Sequence, residues 1–426
     1  MQPLITGLAI NCLCALTAFA TTTGNPTQGN ETFELLLKET AQTHPVVRSA
    51  QTQALGAQHD IETAKWAYWP TASVATEQTN SAIKSRQTGA TFSIQQTLWS
   101  AGSITSRVKA AESKAHAGGF HTSTVKTDVA LRLLEAWSGY LDAQASITVS
   151  QRTIEGLARY QGLMERRVKA GMSASVDLRL LEVRITRAQS ELADANTSAE
   201  ITLKRIEQIS SSKLDPQDNA LKRPVHTPLL KAWLSQPANF SEERLLSELP
   251  ALKKAQAEIQ AATHELAALK ADQWPKVVLR HQRAIGGEGA PTDRNLWAVG
   301  LNYTTGAGLA NQTQAQAENA RLQARLQAID ALRKEKEEQL SLDASNLKRE
   351  INRQPSLQAT VDSAKEVLAS YERLHLAGMK TWQEVLNALQ ELSQAELRLE
   401  QARNGATSAY YRLRLNRGDI TTNWME

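Results

Sequence analysis

The chain has 426 residues and a net charge of +4, with 41% hydrophobic, 22% charged and only 5% aromatic side chains. So small a net charge does not imply a nucleic-acid partner, and none is expected. A composition dominated by Ala, Gln, Leu, Glu, Arg and Lys argues for long helices with narrow apolar seams instead of two or three ordinary globular domains.

Residues 1–20 carry no charged side chain and end in Ala18-Phe19-Ala20, a small-x-small cleavage pattern, so they read as a secretory signal peptide. The apolar run is too short for a spanning helix. Its Cys12 and Cys14 follow Asn11 and Leu13, a poor context for lipid attachment, and they are the only cysteines. The mature chain then has no disulfide or thiolate metal site. Residues 21–30 are polar and read as a loose leader.

Helical periodicity starts at Glu31 with Phe33, Leu36 and Leu37, breaks near His44-Pro45, and resumes through Val47, Ala50, Ala54, Ala57, Ile61 and Ala64. These mostly small positions predict close helix approach. Proline lacks an N–H and crowds the preceding turn, so the helix should stop at Trp69-Pro70. Thr71–Glu77 and Thr91–Leu98 then alternate as strands, with a polar loop expected over Asn80–Thr88. From Gly102 to Lys169 the pattern is helical for roughly 70 residues, about 100 Å. Ala170-Gly171-Met172 makes a turn, and a return helix runs from Ser173 to Ser211. Leu214–Pro237 carries four prolines and reads as a linker.

The same order then recurs. Pro250–Pro275 aligns with Pro45–Pro70 without a gap, pairing Trp274-Pro275 with Trp69-Pro70, Ala255 with Ala50 and Lys270 with Lys65. Val277 and Leu279 alternate before a loop at Gly286-Gly287-Glu288-Gly289. In the next strand Trp297, Val299, Leu301 and Tyr303 share one face, and Ala298, Gly300 and Asn302 the other. Strands of about ten residues can cross a bilayer when tilted, and Trp297 and Tyr303 lie about 20 Å apart, near the height of a barrel's apolar band. Leu309–Ala377 is a second long helix, interrupted only by Pro355. Ala377-Gly378-Met379 makes its turn, Thr381 can cap the next helix, and that helix runs to Asn416. Two matched halves imply an internal duplication. The expected organisation is a signal peptide (1–20), a first repeat (21–213, hairpin 70–99), a linker (214–247), a second repeat (248–417, hairpin 275–304) and a tail (418–426). The two small, exposed Ala-Gly-Met tips are expected to dock a partner.

Four strands cannot close a barrel, and an open edge in lipid leaves unpaired backbone groups. Membrane hairpins therefore require several chains. Chemistry finds no support. The eight histidines are scattered, and His264-Glu265 lacks a second histidine four positions after the first. No phosphate-binding glycine loop occurs, so no enzyme, cofactor or metal is expected, and energy for transport must come from partners.

The duplicated Trp-Pro strand starts, the strand exit Leu98-Trp99-Ser100-Ala101-Gly102, both Ala-Gly-Met turns with an acid six residues after each glycine, and Ala402–Leu413 resemble the TolC family of outer-membrane efflux and secretion channels. The likeness covers nearly all of the mature chain. It implies a mainly α fold with a membrane β-barrel part: a long α-helical barrel in the periplasm of a Gram-negative cell, below a twelve-stranded outer-membrane barrel built by a homotrimer with four strands per protomer. It also implies outer-membrane lipid around the strands, a periplasmic adaptor (membrane fusion protein), and an inner-membrane ABC transporter or other pump. Lys65–Val74 looks most like channels of type I systems that export large adhesins. The family places a gate at the helix tips, where this chain has Asp177, His375, Lys380, Glu384 and Asn387. A Lys380–Asp177 pair would be the lock, Glu384 a ring of three carboxylates, and Asn387 replaces a second acid. Two other classes compete: a drug-efflux channel of the same build, and a periplasmic coiled-coil adaptor or structural protein. The last has no use for two Trp-Pro strand pairs.

Overall fold

The computed structural model describes residues 28–81, 84–214, 221, 224–225, 227–235, 246–286, 294–304, 306–308 and 310–418. The signal peptide, most of the expected leader, the loop after Gly286 and the tail beyond 418 lie outside them. The helices are α1 (Gln28–Thr43), α2 (Pro45–Lys65), α3 (Ser103–Lys169), α4 (Ser175–Ser210), α5 (Thr227–Leu234), α6 (Pro250–Ala271), α7 (Ala310–Leu376) and α8 (Trp382–Asn416). The strands are β1 (Thr71–Ser81), β2 (Lys84–Trp99), β3 (Lys276–Gly286) and β4 (Arg294–Asn302).

Local chemistry accounts for the boundaries. Pro45 and Pro250 stand at the first turn of α2 and α6, where a missing N–H costs nothing. A short 3₁₀ turn, Trp66–Tyr68, ends the first of these before Pro70, so α2 itself stops at Lys65. α3 and α7 each contain 67 residues, and α4 and α8 contain 36 and 35. α7 passes through Pro355 without ending. Beside the break, buried Gln354 accepts from the Thr227 hydroxyl at 2.7 Å and donates to the Ala402 carbonyl at 3.4 Å, which anchors this turn to its neighbours.

Three expectations need correction. The polar stretch Asn80–Thr88 is mostly strand, because an antiparallel hairpin satisfies its backbone whatever the side chains. The leader ends earlier than expected, since α1 already starts at Gln28. The proline-rich linker contains α5, whose Leu230 is buried and which touches α7 and α8.

The sheet is antiparallel in the order β1-β2-β3-β4. Residues directly opposite one another share a face. Trp297, Val299 and Leu301 face His281, Leu279 and Val277 in register, and that line continues to Ile94, Gln96 and Trp99 of β2. Val74 pairs with Phe92 on the same side. This face is apolar yet open: Trp297, Val299 and Leu301 are 66%, 68% and 75% exposed. The other face is polar. Ser73 and Ser93 hydrogen bond at 2.7 Å, and Arg280 donates to Gln95 at 3.2 Å. Among the described residues no helix is long and apolar enough to cross a membrane, which says nothing of the sheet.

The helices gather on α3, which packs on α2, α4, α6 and α8, while α7 packs on α6 and α8. The core sits at mid-length, where Phe33 stacks on Trp137 with ring centres 3.8 Å apart and Tyr411 meets both edge-on. Trp137 Nε1 donates to the Leu221 carbonyl at 2.9 Å. Asp272, at the end of α6, joins helices to sheet. It accepts from Ser103 Oγ at 2.6 Å and from Arg107 at 2.5 Å, and pairs with Lys276 at 2.7 Å. Burial acts to raise the Asp272 carboxyl, but these partners outweigh it and hold it below the ordinary value.

Candidate functional site

The far ends of the long helices form two tips of identical backbone chemistry. Gly171 donates to the Val168 carbonyl at 3.0 Å and Met172 to the Arg167 carbonyl at 2.8 Å. At the second tip Gly378 donates to His375 and Met379 to Leu374, both at 2.9 Å. This paired closure needs a residue with positive φ, supplied by Gly171 at 71° and Gly378 at 77°. Nothing lies within 4 Å of where a Cβ would stand on either glycine. Ala170 and Ala377 precede them on the surface, and Met172 and Met379 are exposed.

Behind the second tip Thr381 caps α8 through a reciprocal box. The Glu384 amide donates to Thr381 Oγ1 at 3.4 Å, and Glu384 Oε2 accepts from the Thr381 amide at 2.9 Å. Glu384 Oε1 also pairs with Lys380 Nζ at 2.5 Å. The Lys380 ammonium first, then the Thr381 amide and hydroxyl, hold the Glu384 carboxyl down to about 2. Lys380 is raised in turn by Glu384 and lies 4.5 Å from the Tyr371 ring centre.

The Lys380–Asp177 lock expected from the sequence is therefore not formed within the chain. Glu384 lies one helical turn from Lys380 and is already fixed by the cap, so the local carboxylate takes the lysine. Asp177 sits in the first turn of α4, and among the described residues it makes no ion pair. His375 is 8% exposed; its Nδ1 lies 2.8 Å from the Lys380 carbonyl and its ring tilts against buried Trp382. It braces the turn from inside. Asn387 accepts from Arg184 of α4 at 3.2 Å, and Arg184 also donates to Gln390. Tyr160 of α3 donates to Glu372 of α7, and desolvation followed by Glu372 pushes its phenol up. Arg184, Tyr160, Glu372 and Trp382 carry no local sequence signal, since each contact joins distant parts of the chain. The Thr381-x-x-Glu384 box was legible as a pattern.

Glu384 carries a pH prediction. A carboxyl lowered in the folded state stabilises it above the unfolded value of 4.5, and that contribution is lost as pH falls through about 2. Protection of the Thr381 and Glu384 amides, taken relative to their intrinsic exchange rates, should stay constant down to about pH 4.5 and fall between there and about pH 2. Glu384→Gln should abolish this acid dependence. An identical pH profile in the mutant would show that the carboxylate does not hold the cap.

Residues 36–211 match the family model described as outer membrane efflux protein. Alkaline protease secretion protein AprF of Pseudomonas aeruginosa is 22% identical over 303 residues, covering 68% of this chain and 61% of that protein, less than two thirds of the relative's length. The fold is similar to those of the outer membrane protein VceC of Vibrio cholerae and the CmeC outer membrane channel of Campylobacter jejuni. VceC has a TM-score of 0.77 and 15% identity, with 91% of this chain and 96% of that one covered. CmeC has a TM-score of 0.74 and 11% identity, with 99% and 96% covered. The resemblance carried by the Trp-Pro strand starts and paired turns is borne out, as is the mainly helical fold with a four-stranded antiparallel sheet.

Proposed function

We propose that the chain is the outer-membrane channel of a tripartite export system, and that it passes unfolded protein, as in type I secretion, with a large adhesin among the candidate cargos. One observation carries this reading: a sheet whose apolar face is open and whose other face is polar, standing at one end of helices about 100 Å long. Three copies would close β1 and β4 of neighbouring chains into a twelve-stranded barrel in outer-membrane lipid. Their helices, duplicated within each chain, would form the periplasmic tunnel. A periplasmic adaptor and an inner-membrane ABC transporter would complete the path. The secretion function in the name of AprF supports protein cargo. The efflux description matched by residues 36–211 supports small molecules as the second reading.

In this reading Asp177, His375, Lys380, Glu384 and Asn387 surround the entrance, with Glu384 a ring of three carboxylates. The exposed backbone at both tips receives the adaptor. Purified chain should form trimers and insert as conducting channels in planar bilayers. Docking is tested by Gly171→Asn with Gly378→Asn, because asparagine tolerates left-handed backbone and so keeps the turns. Export should be lost while trimers and conductance persist. Wild-type export from the double mutant would place docking elsewhere. Export of protein but not of dyes from cells would separate the two cargo readings.

A further inference from the structure

We infer that the outward part of β3 and β4 is a lipid-phosphate site, in which Arg283, His281, Asn295 and Trp297 receive the phosphorylated headgroup of an outer-leaflet lipid. This rests on the channel reading above, which puts the sheet in the outer membrane. The sheet is basic although the chain as a whole is nearly balanced, with 48 basic and 44 acidic residues. The strands carry Lys84, Arg86, Lys276, Arg280, Arg283 and Arg294 against one acid, Glu77, with Glu288 and Asp293 in the loop that joins β3 to β4. Lys84, Arg86, Arg283 and Arg294 stand near the strand ends remote from the helices. Glu77 pairs with Gly89, out of step with the Val74–Phe92 pair and so on the polar face.

Register puts Arg283 on the open apolar face, opposite Asn295 and Phe92 and one row outward of His281 and Trp297. An arginine in a lipid-facing row is costly in hydrocarbon and costs little at headgroup level. His281 stacks on Trp297 with ring centres 4.3 Å apart and planes 27° from parallel. Its Nδ1 is buried and has no hydrogen-bond partner among the described residues, which leaves Nε2 as the nitrogen a ligand can reach. Opposed residues lie about 5 Å apart and successive rows about 7 Å apart, so four side chains converge on an area the size of one headgroup. Arg283 and Asn295 are exposed. The guanidinium fork can pair with two phosphate oxygens at once. The amide of Asn295 and the imidazole of His281 add N–H donors, and Trp297 offers the flat amphipathic ring that suits a membrane interface. Phe92 and Val74 continue the Arg283 row as apolar residues. The donors are therefore confined to the β3–β4 side, where they form a local site instead of a general basic rim.

The test is lipid retention on the full chain, purified in detergent and read by native mass spectrometry. The probes are lipid A, a phosphorylated glycolipid, and the same lipid stripped of its phosphates. The wild-type chain should hold the phosphorylated form at least about tenfold more tightly, the effect of hydrogen bonds to a charged acceptor. Arg283→Gln should remove that preference, and Arg283→Lys should keep part of it as a point charge. Arg280→Gln, one strand position off and on the polar face, should leave it unchanged. Equal retention of the two lipids by the wild-type chain overturns the site and leaves the channel reading standing, and this comparison needs no variant to fold. Complete displacement of lipid A by inorganic phosphate also overturns it, since the site would then take free phosphate. Equal losses from Arg280→Gln and Arg283→Gln overturn it as well, because total charge would account for the binding. A wild-type chain that forms no channels in planar bilayers overturns the channel reading and this inference with it.

Discussion

Replacing Val299 with arginine should abolish the membrane-embedded form of the protein. Val299 lies mid-strand in β4, opposite Leu279, on the open apolar face that includes Trp297, Leu301 and Val277. In the trimeric barrel proposed above that face would meet lipid, where an arginine near the midplane costs roughly 2–4 kcal/mol, and the trimer would carry the cost three times. Trimer yield in outer-membrane fractions should drop to background. The neighbouring Ala298→Glu tests the face itself. It puts a charge one residue away, on the polar side and opposite Arg280, and should assemble normally. Equal yields from the two mutants would show that the sheet does not present one face to lipid.

Trp137→Ala should be the most destabilising single change in the helical body. Trp137 is 1% exposed, stacks on Phe33, meets Tyr411 edge-on and donates to the Leu221 carbonyl. Truncating a buried tryptophan costs about 3–5 kcal/mol. The site gathers α1, α3, α8 and Leu221, so the loss should loosen these contacts together. Denaturant unfolding of the purified protein measures it. Trp137→Phe keeps the stack and loses the donor, which should cost about 1–3 kcal/mol because the carbonyl is left unsatisfied. A loss under about 1 kcal/mol for Trp137→Ala would mean that the cluster fills space without holding the elements together.

Much of this protein is decided by chemistry that acts over a few residues, and that part could be read from the chain alone. Prolines at helix starts, glycines at positive φ, Thr381 at a cap and alternation over Trp297–Tyr303 each depend on neighbours within about one turn or one strand pair. They place two pairs of long helices, two sharp tips and two hairpins with an apolar face. The tertiary structure alone decided what those elements touch. Phe33, Trp137 and Tyr411 meet at one point from three distant segments, and Asp272 reaches back to Ser103 and Arg107. Lys380 takes Glu384 instead of Asp177, because a carboxylate one turn away, already fixed by a cap, outcompetes one on another helix. Arg184 finds Asn387 and Gln390 only because α3 brings α4 and α8 to either side of one groove. Such contacts depend on how whole helices pack, and packing is a property of the assembled surface that no short window of sequence contains.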